Sequence, residues 1–323
     1  MPSDAILYEY SVNGLSNKDI AKRFNLNKDS VRSRISRYNR KMAKDVKSVK
    51  SAYAELQERV VYLENLLEQK ARDDEPMAAV GKPWRLEGDF IVAGDVHCDT
   101  VNKGFMQRPL QIASAYLDHP RRLLLAGDFL NADAFSTYPA IAPGSSFARE
   151  LSSARAFFDT YLNVFDEIYW ILGNHDRRVQ KASKLAIEPE DLLRMISGDP
   201  RIKVSWWGHA VVETKRGEWR ISHGSEYSIN QLVVADQFAQ KYRQNIILHH
   251  QHHCAVGWSR FKDFVVVDNG GLFDETMMAY VNLDDSKKPR MTGGFTMLKD
   301  GTPYLFGREP MTDYNFWLRG KAA

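Results

Sequence analysis

The chain has 323 residues, 44% of them apolar and 26% charged, with a formal net charge of +3, the composition of a globular protein rather than a disordered or fibrous one. No apolar run approaches the ~18 residues of a membrane span, and Met1-Pro2-Ser3-Asp4 lacks the basic and apolar regions of a signal peptide. Two cysteines, Cys98 and Cys254, are too few for a disulfide framework and place the chain in a reducing, cytoplasmic setting, with both thiols read as small buried residues.

Charge is unevenly placed. Between Leu15 and Lys50 there are 12 Lys/Arg against 3 Asp, whereas the remainder carries 32 basic and 38 acidic residues. A basic front end on a mildly acidic body implies an anionic partner for the front end. Residues 1–42 read as a small helical unit: a helix over Asp4–Asn13 closed by Gly14, and a second over Asn17–Phe24 capped by Ser16 with Asp19 as a weak capping-box partner. After the turn Asn25-Leu26-Asn27 comes a third helix. Ile20, Ala21 and Phe24 share one face of the second helix, and Val31, Ile35 and Tyr38 face inward from the third. The stretch Gly14 to Phe24 resembles the helix-turn-helix of bacterial and phage regulators. That likeness makes DNA the expected partner and directs Lys28, Ser30, Arg32 and Arg34 toward it; the plainer alternative is a helical module that docks on protein.

Residues 43–75 carry Val46, Val49, Tyr53, Leu56, Val60, Leu63 and Leu67 at alternating steps of three and four, until Lys70 breaks the stripe. These are coiled-coil positions and predict a homo-oligomer, most simply a parallel dimer. Residues 76–85, with Pro76, Gly81 and Pro83, read as a linker, and 86–323 as the main domain. In that domain strands are predicted at Phe90–Ala93, Leu123–Ala126, Ile168–Leu172, Ile202–Ser205, Ala210–Glu213, Trp219–Ser222, Ile246–Leu248 and Phe264–Val267, and helices over Phe147–Phe165 and Ile229–Tyr242. Strand–helix alternation followed by a strand-rich part predicts an α/β fold with a mixed sheet or sandwich flanked by helices.

Polar clusters closely follow these strands: Asp95-Val96-His97, Gly127-Asp128, Gly173-Asn174-His175-Asp176, His223-Gly224 and His250-Gln251-His252. In α/β folds the site lies beyond the carboxyl ends of the strands. Carboxylates, an amide and imidazoles together suit Mn, Fe or Zn better than Ca or an all-oxygen Mg site.

The ordered set D-x-H, G-D, G-N-H-D, H-G, H-x-H resembles the calcineurin-like metallophosphoesterases. The resemblance implies an α/β/β/α sandwich and two divalent metal ions, most simply Mn, with Fe, Zn or Mg as alternatives. It assigns Asp95, His97, Asp128 and His252 to the first metal, and Asp128 as bridge with Asn174, His223 and His250 to the second. It further implies a metal-bridging hydroxide that attacks phosphorus. His175 is then the catalytic residue, acting as imidazolium on the leaving oxygen, with Asp176 orienting it. The chain departs from the family at His249 and His253, which crowd the H-x-H pair and could be supporting groups or substrate contacts. Phe129 to Asp133 lacks the Asp-Arg-Gly of protein Ser/Thr phosphatases. Arg177 and Arg178 are candidate phosphate contacts. Trp206, Trp207 and Trp258 are candidate groove aromatics, although core packing is the commoner role.

A two-metal site joined to a basic helix-turn-helix implies a phosphodiesterase acting on DNA. The alternative is a phosphatase or phosphodiesterase for small-molecule or protein phosphoesters whose head serves localisation or assembly.

Overall fold

The computed structural model describes residues 1–42, 81–136, 146–277 and 291–321. The expected coiled coil over 43–75 lies outside the described residues. The chain divides into two compact units, Met1–Asp74 and Glu75–Ala323. No helix among the described residues is long and apolar enough to cross a membrane.

The first unit holds α1 (Asp4–Val12), α2 (Asn17–Phe24) and a third helix, α3, described over 28–42. Each start is capped as its sequence dictates: Ser3 Oγ accepts from Ile6 N, and Ser16 Oγ accepts from Asp19 N while donating to the Asp19 carboxylate. Asn25 ends α2 in the left-handed region at φ 51°. Leu7, Ile20, Ala21, Val31 and Ile35 form the core, with Tyr38 beside Tyr8 at 5.2 Å. Lys28, Ser30 and Arg32 are exposed. Arg34 departs from expectation. Its Nε donates to Asp4 Oδ1 at 2.6 Å and its Nη2 to Pro2 O at 2.7 Å, so it ties α3 to the start of α1 instead of standing free for an anion.

The second unit is two six-stranded sheets. One runs β12-β11-β2-β3-β4-β5, built from β2 (Phe90–Ala93), β3 (Arg122–Ala126), β4 (Glu167–Ile171), β5 (Ile202–Ser205), β11 (Gly294–Lys299) and β12 (Thr302–Gly307). The other runs β1-β6-β7-β8-β10-β9, from β1 (Arg85–Glu87), β6 (His209–Thr214), β7 (Gly217–Ser222), β8 (Asn245–Leu248), β9 (Cys254–Trp258) and β10 (Val265–Asn269). Alternation along each strand decides the layers. Phe90, Val92, Leu124, Ala126, Tyr169 and Ile171 meet Ala210, Val212, Trp219, Ile221, Ile247 and Val267 between the sheets. Ile91, Leu123, Leu125, Ile168 and Trp170 face the opposite way, into a core with α4 (Gln107–Tyr116), α5 (Phe147–Tyr161) and α7 (Pro189–Ile196). On the outer face of the second sheet, α8 (Val233–Tyr242) packs Val234, Ala235 and Ala239 against Ile246, Leu248 and Val266. The result is the expected α/β/β/α sandwich. Strands buried on both faces read as continuous apolar runs, and each fully buried Phe contributes ~2–3 kcal/mol.

Several boundaries differ from the sequence reading. α5 ends at Tyr161 rather than Phe165. α8 begins at Val233 rather than Ile229, because Leu232 turns left-handed at φ 64° and donates its N–H to Asp268 at 2.6 Å. The last residues of the expected linker pack on the domain: Trp207 Nε1 donates to Gly81 O at 3.2 Å, the Trp84 ring lies 5.3 Å from Tyr169, and β1 starts at Arg85.

Candidate metal centre

The parallel strands β2, β3 and β4 end in a row and are followed by Asp95 and His97, Asp128, and Asn174. The parallel pair β7 and β8 likewise ends in front of His223 and of His250 and His252. These ends converge on one site. Five of its residues hold left-handed backbone: Asp95, His97, Asp128, His250 and His252, with φ between 44° and 77°. Such strain persists only where surrounding structure enforces it, and it clusters at functional sites.

Two groups of ligand atoms result, each within 4.8 Å: Asp95, His97 and His252, and Asp128, His223 and His250. Each group gathers three of the residues expected at one metal position; Asp128 falls in the second group alone, and Asn174, an amide, is in neither. Asp95 Oδ1 lies 3.2 Å from His252 Nε2 and 3.4 Å from His223 Nε2, so it faces a histidine of each group. Asp128 Oδ2 is 3.2 Å from His223 Nε2, and its Oδ1 accepts from the His175 backbone N–H at 2.8 Å. In side-chain geometry, Asp95 therefore sits at least as centrally as Asp128, the residue expected to bridge.

The donor set fits divalent cations. His97 Nε2 and Asn174 Oδ1 are buried without a hydrogen-bond partner among the described residues, and leaving such an atom unsatisfied costs ~1–3 kcal/mol. Burial works to raise the Asp95 carboxyl, but His252 and the bonds from His223 and His249 prevail and hold it well below its ordinary range. Asp128 is held low in the same way, against burial, chiefly by His223 and His175. Burial pushes His97 down to about 3, with His175 adding to it, and His250 down to about 4, with His223 adding to it. Both are thus neutral imidazoles, as ligation requires. His223 differs: burial works to lower it, yet Asp128 and Asp95, which it faces at 3.2 and 3.4 Å, hold it well above its ordinary value. Carboxylates that favour a positive charge here would equally favour a cation, to which His223 would bind once deprotonated.

The crowded histidine run resolves by geometry. His249 is buried outside both groups; its Nε2 accepts from Asn269 Nδ2 at 2.9 Å, which leaves Nδ1–H to donate to Asp95 Oδ2 at 3.3 Å. His253 turns away and bonds Ser228 O at 3.0 Å. His175 stands at the rim, with Nε2 3.8 Å from Asp128 Oδ2.

Asp176 does not take the expected role. Its carboxylate accepts from Leu130 N and Gly173 N, each at 2.8 Å, and from Trp170 Nε1 at 3.4 Å, while His175 Nδ1 bonds Asn131 O at 3.0 Å. Asp176 ties together the loops after β3 and β4 and does not orient the imidazole. Burial, with the charge of Asp128, pushes its carboxyl up to about 6. Arg177 turns to the Trp206 carbonyl. Arg178 is at the site: Nη2 is 3.1 Å from His175 Nε2. A guanidinium only donates, so this nitrogen carries a lone pair. Delivering a proton from it, the imidazolium role expected of His175, requires that contact to open. Trp258 is exposed rather than packed in the core, and Cys98 and Cys254 are buried thiols as expected.

Residues 88–270 match the calcineurin-like phosphoesterase family. The chain belongs to that family. Membership makes metal-dependent phosphoester hydrolysis its class of activity, with the two ligand groups as the metal-binding candidates. None of the curated proteins matches the chain. Among solved structures, Vps29 of Chaetomium thermophilum is similar at 11% identity and TM-score 0.37, covering 69% of this chain and 95% of its own. A protein of unknown function from Aquifex aeolicus is similar at 13% identity and TM-score 0.29, covering 51% and 80%.

One buried carboxyl of this phosphoesterase domain went unnoticed in the sequence. Glu150, on α5, accepts from the N–H groups of Asn131 and Ala132, the latter at 2.7 Å, beneath the loop after Asp128. Burial pushes it up to about 8, opposed by those two bonds and aided by the charges of Asp99 and Asp133. Its folded value exceeds the ordinary 4.5, so the folded state binds this proton more tightly. Stability from this group is greatest below about pH 4.5 and is lost as pH rises through about 8. Glu150→Gln keeps an oxygen for both N–H groups and carries no charge. It is expected to flatten the fall of melting temperature between pH 5 and 9, raising it by several degrees at pH 9. Melts with the same slope as wild type would contradict a protonated Glu150.

Proposed function

We propose that this protein is a divalent-metal-dependent phosphodiesterase that acts on DNA, with its helical head as the DNA-binding part. The observation that supports hydrolysis most directly is the pair of ligand groups, together with two buried atoms without a hydrogen-bond partner among the described residues, His97 Nε2 and Asn174 Oδ1. Asp95, His97 and His252 would hold one ion, and Asp128, Asn174, His223 and His250 the other. Divalent ions there supply Lewis-acid charge for phosphoryl oxygens and a water nucleophile near neutral pH. The chain's own groups do the rest. Asp95 and Asp128 stay ionised, His249 fixes the Asp95 carboxylate, and His175 with Arg178 presents an imidazole nitrogen and a cation at the rim where a leaving oxygen would sit.

The head supports DNA as the substrate. Arg32 and Arg40 line a shallow polar groove of about 440 Å³ with Asn17, Ser36 and Asn39, and Lys28 and Ser30 are exposed nearby on the same helix. Phosphate contacts of this kind supply sequence-independent affinity. The heptad stripe over 43–75 would bring two such heads together in a dimer, and light scattering of the full chain checks this.

The test is incubation of the full chain with Mn and single-stranded, duplex and branched DNA, alongside bis-p-nitrophenyl phosphate. Cleavage of at least one DNA is expected. Hydrolysis of the small diester with all three DNAs intact would sink DNA as substrate and favour a small-molecule or protein phosphoester. Arg32→Glu is expected to weaken DNA binding roughly tenfold and lower its salt slope by about one, leaving the small diester's turnover unchanged.

A further inference from the structure

We infer that Asn131, through its two carbonyl oxygens, sets the tautomers of both His97 and His175. It is a positioning residue for a metal ligand and for the substrate-facing imidazole at once, and this rests on the reading of the site as a metal-dependent phosphoesterase. Asn131 is buried in the loop that follows Asp128. Its side-chain Nδ2 donates to Asp133 Oδ2 at 2.8 Å. A carboxylate only accepts, so the amide cannot be turned the other way, and Oδ1 is the atom that faces His97 Nδ1 at 3.1 Å. An amide oxygen only accepts, so His97 carries its proton on Nδ1, and Nε2, the unsatisfied buried atom, presents its lone pair toward Asp95 and His252. The backbone does the same for the second ring. Asn131 O lies 3.0 Å from His175 Nδ1 and 3.0 Å from Arg178 Nη1. His175 is therefore also protonated on Nδ1, and its Nε2 accepts from Arg178.

The Asp133 carboxylate closes the circuit, with Oδ1 taking Arg178 Nη1 at 3.0 Å. Glu150 holds the loop from beneath by the N–H groups of Asn131 and Ala132. One residue thus aims two imidazoles whose rings stand 4.9 Å apart and nearly perpendicular. The two oxygens separate experimentally, because substitution removes the side-chain oxygen and leaves the backbone one.

The experiment is long-range 15N–1H correlation NMR of the full-length, metal-free protein, which reads the tautomer of each histidine directly, joined to calorimetric titration with Mn. In Asn131→Leu, which is close in volume, His97 is expected to lose its Nδ1–H signature while His175 keeps its own. Mn affinity at the position His97 would ligate should weaken by roughly 10- to 100-fold. Asn131→Asp restores an acceptor facing His97 and is expected to retain the Nδ1–H signature, even though its bond to Asp133 is lost. The inference is overturned if His97 remains Nδ1–H in the leucine variant, if the aspartate variant loses that signature too, or if both histidines change together. None of these readings depends on turnover, so absence of hydrolysis would refute the proposed function without touching the tautomer assignment.

Discussion

Asp128→Asn is expected to reduce hydrolysis of bis-p-nitrophenyl phosphate by on the order of 10³-fold or more while leaving the fold in place. Asparagine is isosteric, and its oxygen can still accept the His175 backbone N–H that Asp128 holds at 2.8 Å. What is lost is charge. Asp128 and Asp95 are the two ionised carboxylates that face the imidazoles of both ligand groups. Removing one takes a full negative charge from a buried site built for cations, and each ~1.4 kcal/mol of lost transition-state stabilisation is a factor of ten in rate. Metal binding gives a second readout. A ligand that binds only the folded state stabilises it by ~2.7 kcal/mol at one hundred times its dissociation constant. Mn should therefore raise the melting temperature of the wild type by several degrees, chelation should reverse this, and the variant should show a much smaller shift. A variant with more than about a tenth of wild-type turnover, or with an undiminished Mn shift, would remove Asp128 from the metal centre.

Strand ends, and the polar residues just beyond them, are legible in the sequence for one physical reason. β2, β3 and β4 are parallel strands buried on both faces, so Phe90–Ala93, Leu123–Ala126 and Ile168–Ile171 read as unbroken apolar runs, and the polar residues just beyond them are the site. The helical starts were legible because Ser16 and Asp19 cap locally. What failed depended on contacts distant in sequence or on direction. β1 is a short polar edge, Arg85-Leu86-Glu87, and β9 is five residues containing Ala and Gly, so neither shows a strand period. Arg34 looks like its basic neighbours until Asp4, thirty positions away, is placed against it. Asp176 follows His175 directly, yet adjacent residues at the start of α6 (Arg177–Ala182) point in different directions. One faces the site and the other lies beneath it. The same turn separates Arg177, bonded to Trp206 O, from Arg178, bonded at the site. The tie from Glu150 to Asn131 joins an α5 residue to a loop, and no spacing in the chain announces it.

Gly173→Ala carries the largest expected cost in stability, and it tests why the site forms where it does. A Cβ at Gly173 would stand 2.2 Å from Asp128 Oδ1 and 2.3 Å from Asp128 N. The second of these is backbone at the end of β3, and that segment is fixed by its ladder with β2 and β4. It is also held by the Asp95 N–H bond to Gly127 O at 2.9 Å. No rotamer change relieves the contact, so the loops after β3 and β4 must separate. Overpacking of a rigid site costs ~1–3 kcal/mol and occasionally more, and here the displaced groups include the Asp176 bond to Gly173 N. A loss of about 3 kcal/mol by urea denaturation is expected, with Mn affinity falling further than instability alone explains, because Asp128 and Asn174 lie on the two loops that are forced apart. Gly198→Ala is the matched control: its Cβ would meet nothing within 4 Å, and the change should stay within ~0.5 kcal/mol. A Gly173→Ala protein as stable as that control, with Mn binding undiminished, would mean the β3 and β4 ends are free to part. The close backbone approach at Gly173 would then not be what places Asp128 and Asn174 together.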